Sequence, residues 1–170
     1  MDLIKRFNDY FDKIEEALNT PAEINWQEGQ EALIGFFEVD GNKYRIECLK
    51  QIGNNYSYSF AIFKDGNWSY ELTNIGRRGF SVLATITVGL EHLYQKRTPN
   101  SIMFSAVDNN DTRKRLYKSH CDKFCAKHGY KLSNRGNEMQ VLFLMFNDNL
   151  NDEQKEEIMQ SVQKIVEEGK

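Results

Sequence analysis

The sequence predicts an α+β fold: an N-terminal helix, an antiparallel meander, then helix–strand–helix–strand and a C-terminal helix. Three observations predict it. Three turn signals separate period-two segments in the first half of the chain. After Gly79 the apolar spacing switches to that of a helix. A short, nearly continuous apolar run, Ser101–Val107 (SIMFSAV), then stands between two helical patterns, as a buried central strand requires.

The first helix rests on Leu3, Ile4, Phe7, Tyr10, Phe11, Ile14, Ala17 and Leu18, which recur at three- and four-residue spacing and form one apolar stripe. Asn19-Thr20-Pro21 ends it, because proline cannot continue a helix and restrains its predecessor. The apolar, aromatic run Ala32–Val39 follows, closed by the turn chemistry of Asp40-Gly41-Asn42. Tyr44, Ile46 and Cys48 alternate with Arg45 and Glu47 before Gly53-Asn54-Asn55. Tyr56, Tyr58, Phe60 and Ile62 alternate before Lys64-Asp65-Gly66-Asn67, and Trp68, Tyr70 and Leu72 make a fourth meander strand.

Val82, Leu83, Ile86, Leu90, Leu93 and Tyr94 mark a helix that Thr98-Pro99-Asn100 ends. Asn110 or Asp111 can cap the next, with Leu116, Tyr117, His120, Cys121, Phe124 and Cys125 on one face and Gly129 as its stop. Residues 140–146 (QVLFLMF) read as another strand. Asn151 with Gln154 three residues on is a capping pair, opening a helix with Ile158, Val162, Ile165 and Val166 inward. No internal repeat or linker interrupts this order, so residues 1–170 are expected to form one domain.

The 170 residues are 40% hydrophobic and 12% aromatic, enough to bury a core, which excludes disordered and low-complexity classes. No run approaches the ~18 apolar residues that a membrane-spanning helix needs, and the amphipathic start is expected to be neither a signal nor a transit peptide. Three cysteines (Cys48, Cys121, Cys125) are too few for a disulfide framework, so a cytoplasmic setting is expected. The formal charge of -3 hides an asymmetry, since residues 76–131 carry 11 Lys/Arg against 4 Asp/Glu. A basic centre in an acidic chain fits a local anionic ligand, or charges decorating solvated helix faces, better than general nucleic-acid binding.

The junction Glu71-Leu72-Thr73-Asn74-Ile75-Gly76-Arg77-Arg78-Gly79-Phe80-Ser81-Val82-Leu83 is the most informative stretch. A strand enters a glycine-bearing basic turn and a helix begins at once, which points free backbone N–H groups and the positive helix end at one spot. Phosphate binding is one reading; a plain strand-to-helix turn with surface arginines is the other.

The turn GRRGFS before VLATITVGL resembles the pyrophosphate loop of the GNAT family of N-acetyltransferases, with Gly79 at its first required glycine and Ser81 at its second small position. Gly76 stands where that family carries Gln or Arg. Downstream, FSAVDNNDTRKRLYKSHCDKFCAKHGYKL resembles the family's second signature through Asn109 or Asn110, Leu116-Tyr117 and Gly129-Tyr130, with a longer helix between the last two pairs. The element order from Tyr44 to Phe146 agrees as well. The resemblance implies a GNAT-like fold and acetyl-CoA-dependent N-acylation of a small-molecule amine or a protein acceptor. Main-chain N–H groups of Arg77, Arg78, Gly79, Phe80, Ser81 and Val82 would then hold the CoA diphosphate, and strand residues Leu72 and Asn74 the pantetheine. Tyr117 would act as general acid to the thiolate, and Glu71 as general base. The bare residues also allow Tyr117 as a core aromatic and Glu71 as an outward strand residue.

The pattern of a VLATI-type helix, an FSA strand and an RLY helix is also similar to small GNAT-like proteins encoded by bacteriophages. The altered loop and lengthened tyrosine helix therefore keep a second reading open: a catalytically inactive viral accessory protein that works by binding a host or viral protein. Cys121, Cys125 and His128 share one side of a helix, but structural zinc takes four converging ligands, and no second Cys/His pair stands nearby. No metal site is assigned. Phe36, Phe37, Tyr56, Tyr58, Trp68 and Tyr70 could stack nucleic-acid bases, yet alternating aromatics on a sheet usually make its core.

Overall fold

The computed structural model describes residue 6 and residues 20–71, 79–107, 111–136 and 140–168, leaving out the side chains of residues 112, 135, 136 and 140. The expected first helix therefore lies outside the described residues, apart from Arg6. In chain order the described elements are β1 (Asn25–Glu28), β2 (Ala32–Val39), β3 (Asn42–Lys50), β4 (Asn55–Lys64), β5 (Asn67–Ser69), α1 (Gly79–Arg97), β6 (Ser101–Val107), α2 (Asp111–His128), β7 (Tyr130–Gly136), β8 (Gln140–Asn147) and α3 (Asp152–Glu168). The sheet runs β1-β2-β3-β4-β6-β8-β7, with β5 attached to β4 off that path. Every pairing is antiparallel except β4 with β6.

Turn chemistry sets the meander. Asp40 and Gly41 (φ 51 and 77) and Asp65 and Gly66 (φ 51 and 82) are both left-handed pairs, as two-residue hairpin turns demand. The registers line up one buried row: Phe37, Tyr44 and Ile62; Gly35, Ile46 and Phe60; Leu33, Cys48 and Tyr58. Tyr58 opposes Phe104 on β6, which opposes Phe143 on β8, so the apolar face is continuous across the sheet. α1 and α2 cover this face with Val82, Leu83, Ile86, Leu90 and Leu93 from one and Tyr117, Cys121, Phe124 and Cys125 from the other. Contact is close at Gly89, where a Cβ would stand 2.5 Å from Tyr58 Oη and 2.7 Å from Ile46 Cδ1. α3 lies on the opposite face with Ile158 and Ser161 inward.

Three departures from the sequence expectation matter. β1 and β7 were not foreseen: both are polar edge strands, and an edge covered on one side alternates weakly. The fourth meander strand is only β5, which folds back on the end of β4 and leaves β4 itself to pair with β6. Phe36 and Trp68 are half-buried and Tyr70 is exposed, whereas Phe37, Tyr56 and Tyr58 are core. Among the described residues, no helix is long and apolar enough to cross a membrane.

Candidate functional site

β4 and β6 run together for only four residue pairs, from Asn55 with Ser101 to Tyr58 with Phe104, and then part. Residues 59–62 of β4 stay with β3, while residues 105–107 of β6 stay with β8. β5 returns through the Asp65-Gly66 turn and takes the same edge of β4 at Ile62, Phe63 and Lys64, which closes the gap beyond residues 59–61. Residues 59–61 and 105–106 thus flank a slot in which their edge N–H and C=O groups have no strand partner among the described residues. At its mouth Glu71 makes an isolated parallel bridge to Val107.

On the helix side, Tyr117 sits under the parting. Its ring meets Phe60 edge-on at 6.0 Å and lies 5.8 Å from Phe104, one aromatic from each diverging strand, and only 1% of the residue is exposed. Tyr117 is therefore both a core aromatic and a neighbour of the slot. Beside it, between α1 and α2, a cavity of about 20 Å³ is lined by Phe104, Cys121, Thr87 and His120, room for about one water. Thr87 donates its hydroxyl hydrogen to the Leu83 carbonyl at 3.0 Å, so its oxygen accepts from His120 Nδ1 at 2.9 Å. That bond fixes the Nδ1–H tautomer of a neutral imidazole. Burial, and secondarily the charge of Lys123, holds His120 below its ordinary pKa.

The other face carries a charged cluster that the sequence reading missed. Arg45 pairs with Glu47 at 2.5 Å and lies 4.6 Å over the Trp68 ring, while Tyr70 Oη donates to the second Glu47 oxygen at 2.7 Å. Glu47 opposes Ser59, the first β4 residue past the pairing with β6. Alternation with Tyr44, Ile46 and Cys48 shows that Arg45 and Glu47 face away from the core. Their meeting with Trp68 and Tyr70 depends on β5 folding back, which no local pattern reports.

The remaining predicted residues divide. Glu71 is exposed at the slot's mouth, its N–H bonded to Ser69 Oγ at 3.3 Å, and it belongs to no meander strand. Gly79 opens α1, Phe80 is exposed, Val82 is fully buried, and the Ser81 hydroxyl donates to the Thr20 carbonyl at 2.6 Å. Leu72, Asn74, Arg77, Arg78, Asn109 and Asn110 lie outside the described residues. Cys121 and Cys125 are core thiols, with burial pushing Cys125 up to about 11 and Cys121 higher. His128 stacks on Tyr94 at 3.8 Å and pairs with Glu91 at 2.8 Å.

No protein-family model and no curated protein matches the chain. Among solved structures, it is similar to the ribosomal-protein-S5-alanine acetyltransferase of Vibrio fischeri, at 10% identity and a TM-score of 0.35, over 86% of this chain and 72% of that one. It is also similar to an acetyltransferase of the GNAT family from Streptococcus pneumoniae, at 12% identity and a TM-score of 0.38, over 71% and 70% of the two chains.

Proposed function

We propose that this chain is a GNAT-like acyltransferase that moves an acetyl group from acetyl-CoA to an amine. The observation that carries the reading is the parting of the parallel strands β4 and β6 directly above Tyr117. A slot lined by strand edges that have no partner among the described residues fits an extended, amide-bearing arm, which would hydrogen-bond there as a short strand does. Among the described residues α1 begins at Gly79, so the N–H groups of Gly79, Phe80, Ser81 and Val82 form its first turn, where free helix-start N–H groups would fit a diphosphate. The resemblance of the GRRGFS turn adds Arg77 and Arg78 to that end.

In this reading Glu71, at the mouth, takes a proton from the acceptor's ammonium directly or through water. Tyr117 gives its phenolic proton to the departing thiolate. The amine attacks the thioester itself, so no covalent enzyme intermediate is required.

Calorimetric titration with acetyl-CoA tests the proposal, with Arg77→Glu/Arg78→Glu as the control. Micromolar binding that the control loses supports it, and Tyr117→Phe should then keep binding while turnover falls about 10²–10⁴-fold. No heat at millimolar acetyl-CoA would sink it and leave the binding protein as the better account of the fold.

A further inference from the structure

The parting of β4 and β6 has two sides. The helices close one, where Tyr117 meets Phe60 and Phe104 and is itself 1% exposed. Alternation turns Ser59 and Ser105, the first residue of each strand past the shared ladder, to the other side. Both are half-buried, while the residues before and after each are buried. The outer side of the parting is therefore lined by small hydroxyls that solvent reaches.

A carboxylate stands over it. Glu47 pairs with Ser59 in the β3–β4 ladder, which puts their Cβ atoms about 5 Å apart on one face. Arg45 holds one Glu47 oxygen at 2.5 Å, and Tyr70, just past β5, donates to the other at 2.7 Å. Arg45 itself pairs with Ala61, farther along β4, and its guanidinium lies 4.6 Å over Trp68. The charge that faces Ser59 is thus the carboxylate. A carboxylate accepts about four hydrogen bonds, so acceptor capacity remains, and 13% of the Glu47 side chain meets solvent. A group that fits this place brings hydrogen-bond donors and positive charge together.

We propose that the outer side of the parting binds a primary ammonium group, that Glu47 accepts its N–H donors beside the hydroxyls of Ser59 and Ser105, and that Tyr70 positions Glu47. On the acyltransferase reading, on which this role rests, the ammonium is that of the acceptor. The amine then reaches the slot from the side opposite Tyr117, so the attacking group and the proton donor to the thiolate do not compete for one space.

Thiol labelling tests this without a known acceptor. The chain's three cysteines are buried, so Ser59→Cys adds an accessible thiol at the proposed site. Its labelling is timed with aminoethyl methanethiosulfonate, which carries an ammonium, and with the sulfonatoethyl reagent, each rate being divided by that of free cysteine. The ammonium reagent should be favoured at least about tenfold, as a hydrogen bond to a charged group implies. Adding Glu47→Gln should remove the preference, and Glu47→Asp should keep part of it. Tyr70→Phe leaves the charge in place, so a lowered preference there reports positioning rather than field. Calorimetry of Glu47→Gln in the otherwise native chain should give the parent's acetyl-CoA affinity. Equal labelling by both reagents, or a preference that survives Glu47→Gln, overturns the proposal. So does a loss of acetyl-CoA binding in Glu47→Gln, because Glu47 would then serve the fold or the cofactor. A parent chain that shows the preference but no heat with acetyl-CoA refutes the acyltransferase reading and upholds the ammonium site.

Discussion

At Gly89 α1 packs closely on the sheet, and replacing it by alanine tests whether the helix position is set by packing at the point where β4 and β6 part. Alanine alone favours a helix over glycine by about 1 kcal/mol. Against that, the new methyl would lie 2.5 Å from Tyr58 Oη and 2.7 Å from Ile46 Cδ1, where ordinary contacts are 3.4 Å or more. Neither neighbour can yield cheaply. Both residues are fully buried, and the Tyr58 hydroxyl is held by the Ile86 carbonyl at 2.5 Å. Overpacking of this kind costs about 1–3 kcal/mol, and displacing the hydrogen bond adds about 1 kcal/mol. The net is a loss of about 1–3 kcal/mol, or a melting temperature lower by roughly 2–4 °C per kcal/mol for a chain of this size. Urea unfolding should show it as a lower midpoint with unchanged slope. Tyr58→Phe removes the nearest atom, so the double variant should lose less than the two single losses together, by about 0.5 kcal/mol or more. A Gly89→Ala protein more stable than the parent, or strict additivity, would refute the reasoning.

Four further outcomes are expected. Asn151 Oδ1 accepts from the Gln154 N–H at 2.8 Å while Gln154 Oε1 accepts from the Asn151 N–H at 3.0 Å, so Asn151→Ala should lose about 1 kcal/mol in a thermal melt. Thr85 Oγ1 accepts from the Ala22 N–H at 2.8 Å and donates to the Ser81 carbonyl at 2.7 Å; Thr85→Val should cost about 1–3 kcal/mol and speed hydrogen exchange at Ala22. Because burial lowers the His120 pKa, the unfolded chain takes up a proton near pH 6.5 that the folded chain declines. The stability tied to the neutral ring is complete above about pH 6.5 and lost as pH falls through the folded value, so His120→Gln should flatten the acid limb of stability against pH. Burial first, and then Glu47, raises the Tyr70 phenol. Its contribution is complete below about pH 10 and lost as pH rises through the folded value; ultraviolet titration should place the Tyr70 midpoint lower in Glu47→Gln but not in Glu71→Gln.

Much of the fold was legible because its signals are local. Asp-Gly at both hairpins, Asn151 with Gln154 at the start of α3, and Gly129 (φ 71) after α2 each encode a backbone shape within a few residues. The period-two rows of β2, β3 and β4 and the helical stripes of α1 and α2 follow from burial on one side. β1 and β7 escaped because a polar edge strand has little burial to pattern it. Asn25–Glu28 joins through its ladder with β2 and through Trp26, which stacks on His92 of α1 at 4.2 Å. That partner is far away in sequence and leaves no trace in NWQE itself.

The site was harder to read than the fold for a related reason. Tyr117 lies on an apolar helix face, so the pattern that marks it as core is also the pattern that brings it beneath Phe60 and Phe104. Periodicity cannot separate the two roles because here they coincide. For Glu71 the sequence allows a general base or an outward residue of a meander strand, and its position depends on where that strand stops. β5 ends at Ser69, and the chain turns back to meet Val107 instead. The feature that bounds the slot is the far edge of β4. At Ile62 that strand is bonded to Tyr44 of β3 on one side and Ser69 of β5 on the other, and a strand has only two edges. The slot beside residues 59–61 therefore closes at the Asp65-Gly66 hairpin, where β5 takes over the edge that β6 leaves after Phe104.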